Sequence, residues 1–155
     1  MMRYAGLILS LAQVPMTAHR TSILIVALGD MALLVIFVIG GVVTHEPDSA
    51  APIGTVMRTL APFSIAWFAA AVWIGVYRSD VIRSPRRALA QTFIAALIAT
   101  PLAILLRAGL IGRAVIPTSF LAFTLALNTT LFLIWHGGYA WWRARRSGRT
   151  DQSGV

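Results

Sequence analysis

The chain has no cysteine and no lysine among its 155 residues. Without thiols there is no disulfide, thiolate metal site, iron–sulfur cluster or c-type haem attachment. Charge is scarce. Only 12% of residues are charged, where soluble domains carry about a quarter, so the chain cannot coat a water-facing surface in the usual way. There is no glycine-rich phosphate loop, no Ser–His–Asp set and no H-E-x-x-H. The histidines, His19, His45 and His136, have no second histidine at i+3 or i+4. The expectation is no metal, no cofactor and no catalytic residues, hence a non-enzymatic protein.

What is present is apolar. Hydrophobic residues make up 58% of the chain, and the mean hydropathy is +0.79. A spanning helix needs about 20 mostly apolar residues, and four stretches qualify: 21–43, 59–77, 88–106 and 114–135. The last three contain no charged residue. The period-2 alternation of a membrane barrel is missing, and backbone groups in lipid must pair within their own segment. The reading is an all-α, polytopic integral membrane protein with four transmembrane helices in an up-down bundle. Residues 1–20 read as an N-terminal segment with a short interfacial helix ending near Pro15. Residues 21–142 form the transmembrane domain, and 143–155 a basic, flexible tail.

The net charge is +8 and every one of the thirteen basic residues is arginine. In a soluble protein that would suggest nucleic acid. Here the arginines stand at the ends of apolar segments, so no nucleic-acid partner is expected. Ten lie in the N-terminal flank (Arg3, Arg20), the 78–87 loop (Arg78, Arg83, Arg86, Arg87) and the tail (Arg143, Arg145, Arg146, Arg149). Three lie on the other side: Arg58, Arg107 and Arg113. That asymmetry puts both termini in the cytoplasm, in an inner or plasma membrane. The expected partners are the bilayer and anionic head groups at its cytoplasmic face, with a homo-oligomer or larger membrane complex also in view.

Asp30 stands in the middle of the first span. An ionisable group there costs at least a few kcal/mol unless it is neutral or paired, so it should face the bundle interior. Counting about 1.5 Å per residue from the expected span ends, Asn128 lies at a matching depth on span four, with Thr129 and Thr130 beside it. Gln91 and Thr92 lie shallower on span three. Asp30, Asn128 and Thr129 therefore form a candidate intramembrane polar site. The plainest reading of Asp30 is a structural lock between helices; the alternatives are a proton or ion relay, a ligand site, a contact to a partner subunit, or a shallower placement where it meets water.

A second cluster belongs to the other membrane face. His45, Arg58 and Arg107 are candidates for a small outer pocket that binds an anion or lipid head group, against the plainer reading of scattered solvated charges. In "APFSIAW", Phe63 and Trp67 are four apart and share one helix face, with Pro62 expected in the first turn of span two. Pro101 should kink span three.

"GDMALLVIFVIGG" followed by "TH", "APFSIAW" opening span two and "PLAILLR" closing span three together resemble the domain-of-unknown-function family numbered 3054, small four-helix membrane proteins of bacteria and archaea. The resemblance runs from about Gly29 to Trp142. It points to Asp30, His45, Pro62, Phe63, Trp67 and Arg107, implies the same fold and location, and carries no activity. The sequence departs from that pattern in having no basic residue near Gly41.

The leading functional expectation is a small accessory or assembly subunit. One alternative is a proton- or ion-coupled transporter using Asp30. A second is a lipid-acting enzyme or lipid-binding protein at the His45/Arg107 face.

Overall fold

The computed structural model describes residues 16–45, 52–112 and 118–150, without the side chains of 16–19, 45, 52 and 147–150. Five helices follow in order: α1 Met16–His45, α2 Pro52–Ile74, α3 Ser79–Ile82, α4 Pro85–Ile111 and α5 Thr118–Thr150. The four long ones are each long and apolar enough to cross a membrane. Their outer surfaces are apolar too: Leu28, Ile36, Ile65, Val72, Leu105 and Ile134 are all more than 60% exposed. A protein facing water does not leave so much apolar surface uncovered.

α1 and α4 run past their apolar runs at both ends and α5 at its C-terminal end, whereas α2 starts early, at Pro52, but stops at Ile74, three residues short of Tyr77, where Gly75 turns the chain. Backbone hydrogen bonding continues through polar residues at span ends, so composition marks the lipid-facing part and not the helix end. α2 begins at Pro52, so Pro62 lies well inside it and not in its first turn. There it cannot donate to the Arg58 carbonyl one turn back. Pro101 is inside α4 as expected. α5 runs unbroken to Thr150, so residues 143–150 are helix and not a flexible tail. The expected interfacial segment lies outside the described residues up to residue 15; residues 16–20 are the first turn of α1.

α2 ends in a glycine-dependent C-cap. Gly75 has φ +84°, a conformation open to glycine and strained for other residues. Val76 N–H donates to the Ala71 carbonyl at 2.8 Å and Gly75 N–H to the Val72 carbonyl at 3.2 Å, the paired bonds of a Schellman motif. Val76 is then fully buried beside Ala71. The chain turns back through Tyr77 and α3 into α4. Asp80, on α3, pairs with Arg78 at 3.4 Å and Arg87 at 3.0 Å. Desolvation alone would raise its pKa. The local backbone hydrogen bond and the two guanidinium groups outweigh that and hold the carboxyl below its ordinary value.

The main core belongs to α2, α4 and α5. Ala95, Ala96, Ala99 and Ala103 give α4 a surface of small side chains, and Phe63, Ala66, Trp67, Ala70 and Phe132 pack onto it. α1 contributes only Leu34 to the fully buried part of this cluster. Val26 joins a second, smaller cluster with Ile82 and Tyr139, and something beyond apolar packing adds to the hold on the depth and rotation of α1.

Candidate functional site

That something is centred on Asp30, which is fully buried. Trp67 Nε1–H donates to Asp30 Oδ2 at 3.0 Å, and the Tyr77 hydroxyl donates to the same oxygen at 2.6 Å. His136 Nε2 lies 2.8 Å from Asp30 Oδ1 and is 4% exposed. The carboxylate thus ties α1 to α2, to the turn after it and to α5.

Each partner is delivered by local structure. Gly29, next to Asp30, lies under the Trp135 indole, and a Cβ there would fall inside that ring's van der Waals envelope. The close approach lets Trp135 Nε1–H reach the Val26 carbonyl at 3.3 Å and seats α1 against α5 at this level. The Gly75 turn swings Tyr77 back toward α1. Trp67 is set by packing. Its ring stacks on Phe132 with centroids 3.4 Å apart and planes at 2°, which leaves the N–H edge to meet the carboxylate.

The expected partners of Asp30 are elsewhere. Asn128 Nδ2 donates to Thr100 Oγ1 at 3.3 Å, a bond between α5 and α4. Thr129 is buried and its hydroxyl has no hydrogen-bond partner, while Thr130 donates to the Ala126 carbonyl on the exposed side. The error lay in the depth count. Taking Trp135 as the end of the fourth span placed Asn128 opposite Asp30. The helix in fact stays buried through Tyr139 and Ala140, and His136, about two turns beyond Asn128, takes that level. A sequence signal existed, because Asn128, Phe132 and His136 follow at intervals of four and share one face. Tyr77 could not be found that way, since it reaches the site by a turn.

Of the three outer-pocket residues, the side chains of Arg107 and Arg58 are described. Arg107 Nε–H donates to Thr59 Oγ1 at 3.0 Å, joining α4 to α2, and Arg58 is exposed. The side chain of His45 lies outside the described residues. Phe63 and Trp67 do share a face, and both are buried together with Pro62. Phe37 of α1 rests against Phe63 at a centroid distance of 5.5 Å.

Chemically, the site joins a carboxylate and an imidazole. In a low-dielectric interior such a pair is tolerated when it is net neutral and its remaining lone pairs are met. Tyr77 and Trp67 fill Oδ2, and His136 faces Oδ1. Carboxyl and imidazole are both proton-carrying groups, and 2.8 Å brings them within hydrogen-bond distance. Among the described residues no group of three or more His, Cys, Asp or Glu stands together as a metal would require.

No curated protein and no solved structure matches the chain. A family model described as "Protein of unknown function (DUF3054)" matches residues 27–139, a stretch that holds Asp30, Trp67, Tyr77 and His136 together, and the chain belongs to that family.

Proposed function

We propose that this is a proton-translocating integral membrane transporter that works through reversible protonation of the Asp30–His136 pair. The observation that carries the reading is the 2.8 Å contact between two titratable groups that are 0% and 4% exposed, held between apolar helices. Intramembrane ionisable residues facing a bundle interior mark proton and ion pathways. Uptake or release of a proton changes the charge on the pair, and that change supplies a driving force for a conformational step. α1 is the element placed to move, because it gives the main core one fully buried residue, Leu34, and is held by hydrogen bonds to the Asp30 carboxylate.

The arginine asymmetry supports an orientation with both termini cytoplasmic. Arg145 lies over Trp141 at 3.6 Å and Arg146 over Trp142 at 4.0 Å. That pairing suits an interface with anionic head groups, which we take as the lipid partners. The accessory-subunit expectation rested on the lack of a catalytic set. The buried pair is a positive feature and favours the transport alternative.

The test is proton flux in proteoliposomes with a trapped pH indicator and the membrane potential clamped. Flux above that of empty vesicles is expected, lost in Asp30→Asn and His136→Gln while both variants stay folded. Wild-type flux no higher than in empty vesicles, or full flux in Asp30→Asn, overturns the proposal.

A further inference from the structure

Along its buried face α5 carries Thr124, Asn128, Phe132 and His136, one turn apart and each no more than 4% exposed. Three of the four are polar and the exception is the phenyl ring. α4 runs antiparallel beside them. Ala88 packs with Ala140, and Asn128 bonds Thr100, a register that sets Thr92 opposite His136 and Ala96 opposite Phe132. Thr92 and Thr100 are the buried polar residues α4 offers to this seam, at 0% and 1% exposure.

The bundle interior therefore holds two polar stations. One contains Asp30, His136, Tyr77 and Thr92 and lies toward the arginine-rich end, where Tyr77 is followed by exposed Arg78. The other contains Asn128, Thr100 and Thr124 and lies toward the opposite end. Thr124 also lines a cleft of about 720 Å³ between α1 and α5, with Phe37, Gly40, Thr44, Ser119 and Phe123 on its walls. Between the stations stands the Trp67–Phe132 stack, backed by Ala96, Ala99 and Leu34.

Buried polar atoms are left over on both sides. The hydroxyls of Thr92, Thr129 and Tyr139 and the side-chain carbonyl of Gln91 have no hydrogen-bond partner. Buried polar groups are satisfied as a rule, by water where protein does not serve. Tyr139 belongs to the same small cluster as Tyr77 and Val26, and Gln91 Oε1 lies beside Gly75, so both orphans lie on the arginine-rich side of the stack.

We propose that the stacked Trp67 and Phe132 rings are the gate of a hydrated transmembrane path for protons, closed in this conformation. The proposal rests on the proton-translocation reading and adds its gate. A phenyl ring has neither donor nor acceptor, so it interrupts any chain of hydrogen bonds that water and threonine would otherwise extend. The gate is wired to the site it guards. The Trp67 ring face closes the path while its N–H edge binds Asp30 Oδ2. A change at the carboxylate therefore alters what holds the indole in place.

The absence of cysteine makes single-cysteine accessibility a clean test. Thr92→Cys and Asn128→Cys, each in oriented vesicles, are exposed to a small membrane-impermeant thiol reagent. With Phe132 in place, Thr92→Cys should label from the arginine-rich side only and Asn128→Cys from the opposite side only. Phe132→Ala should let each react from both sides, at least ten-fold faster from the formerly closed one. Phe132→Leu, which keeps most of the apolar volume, should give an intermediate rate and stands in if the alanine variant does not fold. Equal labelling from both sides with Phe132 present overturns the gate. So does labelling from neither side, or one-sided labelling that persists in both Phe132 variants. The readout needs no proton flux. A gate that opens in a protein whose wild type conducts no protons would sink the transport reading and leave the hydrated path standing. Flux that requires Asp30 but ignores Phe132 would do the reverse.

Discussion

Replacing Asp30 by alanine tests how much of the grip on α1 comes from hydrogen bonds. The carboxylate accepts from Trp67 and Tyr77 and contacts His136. Measured interhelical hydrogen bonds in membranes average about 0.6 kcal/mol, so three simple losses would cost about 2 kcal/mol. Alanine also leaves the indole N–H, the phenol and the imidazole without a partner in a dry interior, and each orphaned group costs about 1–3 kcal/mol. Partial rearrangement to water or backbone sets a realistic range of about 2–5 kcal/mol. Asp30→Asn should cost under about 1 kcal/mol, because its carbonyl oxygen accepts from Trp67 and Tyr77 and its amide donates to a neutral His136 Nε2. The assay is reversible unfolding in mixed micelles, by denaturing-detergent titration or steric trapping, with wild type and both variants side by side. If Asp30→Ala falls within about 0.5 kcal/mol of wild type, the idea that polar contacts position α1 fails. If Asn costs as much as Ala, the lost quantity is charge and not hydrogen bonding.

Gly29→Ala should displace the Trp135 ring, which occupies the space of the new Cβ, and destabilise by about 1–3 kcal/mol; a shift of tryptophan emission with no loss of stability would show that the helix contact is looser than described. Gly75→Ala must adopt φ +84° and should cost about 1–2 kcal/mol, read from the same unfolding assay, while Gly40→Ala, with nothing within 4 Å of the added methyl, should be near neutral. Asp80 is held below its ordinary pKa, so its stabilising contribution is present above the unfolded value and fades as pH falls through the lower folded one. The melting difference between wild type and Asp80→Asn should accordingly be small at pH 7 and vanish in strong acid; a difference that grows on acidification would reverse the assigned sign.

Reading by hydropathy found the four apolar runs because a segment built for lipid must satisfy its own backbone, and each run overlaps a long helix, though the second outlasts α2 by three residues. It singled out Asp30 for the same reason: a lone carboxylate inside an apolar run cannot be neutral in meaning when it is costly in energy. Phe63 and Trp67 were also legible as one face, since their spacing matches the helix period. What failed was depth. A depth error of about two turns along α5 exchanged His136 for Asn128, because apolar composition fades before the helix does.

The sequence by itself determined the helical, apolar, arginine-flanked character of this protein and the presence of one carboxylate that must find partners. Which partners it finds was decided by tertiary structure alone. The meeting of Asp30 with Trp67, Tyr77 and His136 depends on the close seat of Gly29 under Trp135, the left-handed turn at Gly75 and the antiparallel registers of α1, α4 and α5. Those are relations between segments far apart in the chain, set by how side chains of particular size fit one another, and no local pattern encodes them.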